Sequence, residues 1–253
     1  MAAAIFARLA LVEARRGGLA WLALALIVAG VAAGAFLAQV ALTESRMVQT
    51  AVVAALLRAC AVLIMAAQVI ASVRREIDER RLEMMLSLPV SRGAQYLGRL
   101  SGFAACGFLL ALVFSLPLLL WASPGNVAAW ALSLALELAL VAAAALFFSM
   151  TLANLVPALA ATAGLYFLGR SIGALQAIAA GPLVEETALH QLGRQAIDLV
   201  ALALPALDRA TRTEWLLYAL PDARTYGAAL AGLAIYTALL GAAGVFDFQR
   251  RSS

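Results

Sequence analysis

The 253-residue chain contains no lysine; all eighteen of its basic residues are arginine. A phosphate-cradling P-loop needs a lysine to reach the β- and γ-phosphates, so the chain carries no ordinary nucleotide-hydrolysing motif. Schiff-base lysine chemistry is excluded with it. Histidine is almost as scarce, with His190 the single one. "EETALH" (Glu185–His190) sets two glutamates beside it, but a catalytic zinc commonly takes three protein ligands and more than one histidine. No strained Gly-x-Ser-x-Gly turn stands near it to form a serine–histidine pair. His190 therefore reads as a surface residue, and the chain is not expected to be an enzyme or to bind a metal or cofactor. Cys60 and Cys106, the two cysteines, fall inside apolar runs. They read as packed small side chains rather than a disulfide or metal pair.

Charge of either sign is sparse: 13% of residues are charged against 65% hydrophobic. Runs such as "GGLAWLALALIVAGVAAGAFLAQVAL" (Gly17–Leu42) exceed the roughly 20 apolar residues that cross a hydrocarbon core about 30 Å thick. The sequence reads as a single all-α, polytopic transmembrane domain over 1–253. Six spans are expected, at about Leu19–Leu42, Val48–Val73, Leu100–Ala122, Val127–Ala153, Leu155–Leu175 and Gly227–Phe246. "SPGN" is a turn by its Pro-Gly chemistry, and Pro157 near a helix start fits a tight hairpin between the fourth and fifth spans. Residues 1–16 read as an amphipathic helix on the membrane surface. The first apolar run is too long for a signal-peptide core and lacks a clear cleavage site.

Arginine placement sets the expected orientation. Arg8, Arg15 and Arg16 precede the first span, six arginines lie between Arg74 and Arg99, and Arg250 and Arg251 end the sequence. Six spans put all of these on one side, the cytoplasm, with both termini there. The long segment 176–226 then lies outside. Within it "QAIDLVALALPAL" (Gln195–Leu207) is too short to cross and is interrupted by Pro205, so it reads as interfacial or re-entrant.

Two charge patterns stand out. Arg58 and Glu137 sit at similar depth in the second and fourth spans, where charges are costly and either pair or line a polar path. Arg170, nearer the outer end of the fifth span, reads as a side chain that snorkels. The second pattern is "SVRREIDERRLEMMLSLPVSRGAQYLGRLSG" (Ser72–Gly102). It interleaves acids and arginines at helical spacing, as in Glu76–Arg80 and Asp78–Arg81, with Ile77, Leu82, Met85, Leu86 and Leu88 on an apolar side. A helix over Arg74–Leu88, ended by Pro89, is expected outside the membrane. It is either a solvated surface helix or one that docks on a protein partner.

This stretch resembles the segment between the second and third spans of ABC-2-type transporter permeases. The residues that carry the resemblance are Glu76, Glu83, Leu86, Ser87, Pro89, Val90, Ser91, Arg92, Tyr96, Gly98 and Arg99. "FFSMTLANLVPALAATAGLYFLG" is similar to the family's fourth–fifth hairpin. The resemblance implies a type V exporter-like fold of six spans and a permease that pairs, most simply with a second copy of itself. It also implies a separate ABC ATP-binding subunit that carries ATP and magnesium. Residues 74–95 would form the cytosolic coupling segment, with Arg74, Glu76, Glu79, Glu83, Met85, Leu86, Pro89 and Arg92 engaging that subunit. Location in the inner (plasma) membrane and a role in export follow from the same resemblance. The other functions compatible with the sequence are a secondary transporter, for which no inverted repeat is apparent, and a membrane scaffold without transport. No nucleic-acid partner is expected.

Overall fold

Alanine and leucine dominate the apolar runs, and both favour helix. In a hydrocarbon environment only a helix or a closed barrel satisfies every backbone group. The computed structural model accordingly shows helices and no strand among the residues it describes, which are 18–40, 45–79, 91–152, 154–181, 188–218 and 222–250. In chain order these are α1 (Leu19–Val40), α2 (Ser45–Asp78), α3 (Arg92–Ser115), α4 (Pro124–Thr151), α5 (Leu155–Ala179), α6 (Ala188–Ala203), α7 (Leu207–Ala210), α8 (Glu214–Leu217) and α9 (Ala223–Arg250). Five helices are long and apolar enough to cross a membrane: α2, α3 with its 3₁₀ extension Leu116–Leu120, α4, α5 and α9. In α1 the apolar stretch Trp21–Phe36 is shorter.

Two helix ends lie five or more residues from those expected. The second helix does not stop at Val73 but runs on through Arg74, Arg75 and Glu76 to Asp78. The first residues of the expected separate surface helix are thus the last turn and a half of α2. Helix α3 starts at Arg92 rather than Leu100, with Ser91 extended as its N-cap. Segment 188–218 is a string of pieces, α6, α7 and α8, and the break after α6 falls at Pro205, where the sequence placed it and where its missing N–H requires one. The N-terminal surface helix, and Glu83, Met85, Leu86 and Pro89, lie outside the described residues.

Helix α4 is the centre of the bundle. Its most apolar stretch is 72% buried against 17% for that of α9, which leaves α9 mostly facing outward. It packs against α2, α3, α5 and α9, and Ala142 through Leu146 are all buried. Small residues set how closely its neighbours approach, as expected where lipid supplies no hydrophobic drive between helices. On α3, Gly107 lies so close to α4 that an added Cβ would stand 3.1 Å from Leu138 Cβ. On α1, Gly30 and Gly34 meet Leu57 and Val53 of α2, the reversed order of an antiparallel hairpin. At the start of α4, Ser123 accepts a hydrogen bond from the Asn126 backbone N–H, with Pro124 in the first turn.

Leu138 Cβ is fixed to its backbone and cannot yield at the Gly107 contact. Gly107→Val should therefore destabilise the protein by about 1–3 kcal/mol and lower its unfolding midpoint in detergent. Gly164→Ala meets open space and should not lower it. Equal midpoints for the two variants would mean that the α3–α4 contact is looser than described.

Candidate functional site

Helical rise brings the first site together. Arg58 lies about 20 Å along α2 from its start and Glu137 about 20 Å along α4, at 1.5 Å per residue. The two helices pack side by side, and Arg58 Nη1 stands 2.6 Å from Glu137 Oε2. Neither reaches solvent: Arg58 is 3% exposed and Glu137 0%.

Around this pair the polar groups are nearly all used. Arg58 Nη2 donates to Ser133 Oγ at 3.2 Å, and Ser133 in turn donates to the Trp130 carbonyl at 2.8 Å. The Arg58 guanidinium lies over the Trp130 ring, 5.1 Å from its centroid, a cation–π contact in a desolvated setting. The other carboxylate oxygen, Glu137 Oε1, accepts from the Tyr166 hydroxyl at 2.9 Å. Arg170 Nη1 lies 3.6 Å from that same oxygen.

Arg170 therefore does not snorkel. It turns inward toward Glu137 and donates to Thr211 Oγ1, while Thr211 donates to the Leu207 carbonyl at 2.6 Å. The outer segment thus supplies a partner that the sequence position of Arg170 gave no hint of. Trp130, Ser133 and Glu137 recur at three- and four-residue spacing on α4, and Tyr166 and Arg170 are four apart on α5. Each set shares one face. The spacing was visible in the sequence; the fact that the two faces meet was not.

In chemical terms the cluster is one buried carboxylate held by two guanidiniums and a phenol, joining α2, α4, α5 and α7. Nothing in it is arranged as nucleophile and base. Its polar donors and acceptors are spent on one another, which suits a joint that fixes helix positions at depth.

The second site lies at the end where α2 and α4 finish and α3 begins. Arg99 of α3 pairs with Glu76 of α2 at 2.7 Å, both largely buried. Arg74 Nη2 donates to the Ser149 carbonyl at 3.0 Å and also to the Leu152 carbonyl. Those carbonyls lie in the last turn and at the C-cap of α4, where intrahelical donors run out, so Arg74 acts as a cationic C-terminal cap. Tyr96 is buried against α9, where its hydroxyl fills the space over Gly244 and its ring lies 6.3 Å from that of Phe248. Thr151 Oγ1 stands 3.2 Å from Asp247 Oδ2. Of the other expected coupling residues, Glu79 is exposed just beyond α2 and Arg92 is half-buried at the first turn of α3.

Among the described residues no three His, Cys, Asp or Glu side chains are grouped to hold a metal ion. Cys60 and Cys106 are not joined in a disulfide. The class these features define is a helical bundle with five helices suited to crossing a membrane, tied by charged side chains at mid-depth and at one end. No protein-family model matches the sequence, and no curated protein matches it.

The contacts rank the site's substitutions. Glu137→Leu strands Arg58 in a place it cannot leave, whereas Arg58→Leu leaves Glu137 with Arg170 and Tyr166. Loss of one partner of a buried pair costs about 3–5 kcal/mol, less where the membrane reference state finds other partners. Glu137→Leu should be the more damaging single change in unfolding measurements, and the double variant should lose less than the sum. Strictly additive losses would show the two groups to be uncoupled.

Proposed function

We propose that the chain is the permease subunit of an ATP-binding-cassette exporter of the ABC-2 kind, forming the translocation path and driven by a separate ATP-binding subunit. The observation that carries this reading is the anchoring of both stems of the charged segment. Its two flanking helices are clamped to each other by Glu76–Arg99, to the end of α4 by Arg74, and to α9 by Tyr96. A force on residues 80–90 would thus reach four long helices at once, as coupling to a soluble motor requires. The resembling residues Glu76, Tyr96 and Arg99 are the ones that make this clamp.

In this reading α1, with 22 residues, is a sixth span packed antiparallel on α2. The clamped end and both termini are cytoplasmic, the protein sits in the inner membrane, and it pairs with a second copy. ATP and magnesium stay on the partner, consistent with the lack of lysine, and this chain has no enzymatic activity or cofactor of its own. Charges at mid-depth are also a feature of ion-coupled secondary transporters. That second reading differs in needing no ATP.

The chain purified alone should hydrolyse no ATP. Hydrolysis stimulated by the permease should appear when it is reconstituted with an ATP-binding-cassette subunit encoded beside it. Arg99→Glu sets two acids against each other and should abolish most of that stimulation, while the swap Glu76→Arg with Arg99→Glu should restore much of it. Glu83→Arg should weaken capture of the subunit in pull-downs without changing membrane insertion. ATP turnover by the isolated chain would overturn the division of labour, and full stimulation in the Arg99→Glu variant would overturn the clamp.

A further inference from the structure

At the end of the bundle opposite the clamp, a cavity of about 470 Å³ opens between the short helices α7 and α8 and one side of α9. That volume is in the range of small-molecule sites. Its lining is divided by chemistry. Leu204, Leu233 and the open face of Gly232 give an apolar floor, and Trp215 gives an aromatic wall. Arg209 and Arg212 also line it, both exposed.

Among the described residues neither arginine makes a side-chain hydrogen bond or ion pair. The carboxylate next in sequence, Asp208, is turned away against Gly173 of α5. Glu214 and Asp222 do not line the cavity. The site therefore offers two planar cationic forks, suited to bidentate contact with a phosphate, in the same cavity as an apolar trough.

Depth names the ligand class. The cavity follows one stripe of α9 from Thr225 to Tyr236, about 16 Å along the axis of a helix about 42 Å long. With α9 across a bilayer, the cavity runs from near one end of that helix to about its middle, the levels that a phospholipid headgroup and the first part of its acyl chains occupy. A soluble anion would leave the floor empty. A zwitterionic headgroup would bring a cation against the two arginines. We infer that this cavity binds an anionic phospholipid of the bilayer, its phosphate on Arg209 and Arg212 and the first part of an acyl chain along Leu233 and Gly232. This inference requires that α9 crosses the membrane and nothing of the transport reading.

Trp215 is a native reporter. The full chain, purified in non-ionic detergent, would be titrated with phosphatidylglycerol brominated on its acyl chains, and the Trp215 signal taken as the difference between wild type and Trp215→Phe. Saturable quenching is expected. Arg209→Gln with Arg212→Gln should weaken it about tenfold or more, the loss of two charge-assisted contacts. These side chains are exposed, so the unfolding midpoint should not change. Gly232→Leu, whose side chain enters open space, should abolish quenching by occupying the trough. Equal affinity for brominated phosphatidylcholine would overturn the inference. So would displacement of the lipid by inorganic phosphate, which would mark a soluble-anion site, or quenching unchanged in the arginine variant.

Discussion

The structure depends on one constraint: a guanidinium and a carboxylate have been placed where water does not reach. An arginine or aspartate at the centre of a spanning helix costs about 2.5–3.5 kcal/mol on insertion scales, so Arg58 alone would oppose insertion of α2. Paired with Glu137 across 2.6 Å, that penalty becomes a bond between α2 and α4. The other contacts follow from completing it. Glu137 has a second oxygen, which draws Tyr166 and Arg170 from α5, and Arg170 in turn draws Thr211 from the outer segment. Four elements are placed by the valence of one carboxylate.

Apolar packing has no comparable power to choose partners here. Lipid tails are as apolar as leucine, so helices associate through close fit and polar contacts. Close fit is visible at Gly107 against Leu138 and at Gly34 against Val53. It fixes distance, but a ridge of alanines such as Ala142–Ala145 would accept several neighbours. The charged contacts select among them. At the far end of the bundle the same division recurs, with Gly244 allowing Tyr96 to approach α9 and Glu76–Arg99 deciding how α2 and α3 are joined.

Much of this was legible in the sequence because its signals are local. Long apolar runs marked every helix now seen to be long enough to cross a membrane, and Pro205 marked a break, while the turn expected at "SPGN" is instead the N-cap and first turn of α4. The depth of Arg58 and Glu137 was readable because helical rise is constant. What was not legible depended on distant parts of the chain. Arg170 lies near a helix end, where the ordinary expectation is an arginine reaching outward. Its inward turn needs Glu137, thirty-odd residues before it, and Thr211, forty-odd after, and no periodicity links those positions. Arg74 likewise reads in the sequence as part of a surface helix because charged residues dominate from there on. The carbonyls it caps belong to α4, and the need of a helix end for a cation does not say which arginine will meet it.

The two charged sites share α2 and α4, and this shapes how the molecule can move. Glu76 lies about 27 Å from Arg58 along α2, at 1.5 Å per residue, with unbroken helix between them. A helix transmits an axial shift or rotation with little loss, whereas side-chain packing on alanine resists it weakly. Displacement of α2 relative to α4 at the clamped end must therefore be absorbed at Arg58–Glu137. There the direct bond holds, or Arg58 is left with Ser133 and Trp130 and Glu137 with Tyr166 and Arg170. Motion that keeps the pair intact must carry α2 and α4 together, and Tyr166, Arg170 and Thr211 tie α5 and the outer segment to them. The natural rigid unit is then α2–α4–α5 with α7, joined by charged and phenolic groups rather than by packing alone.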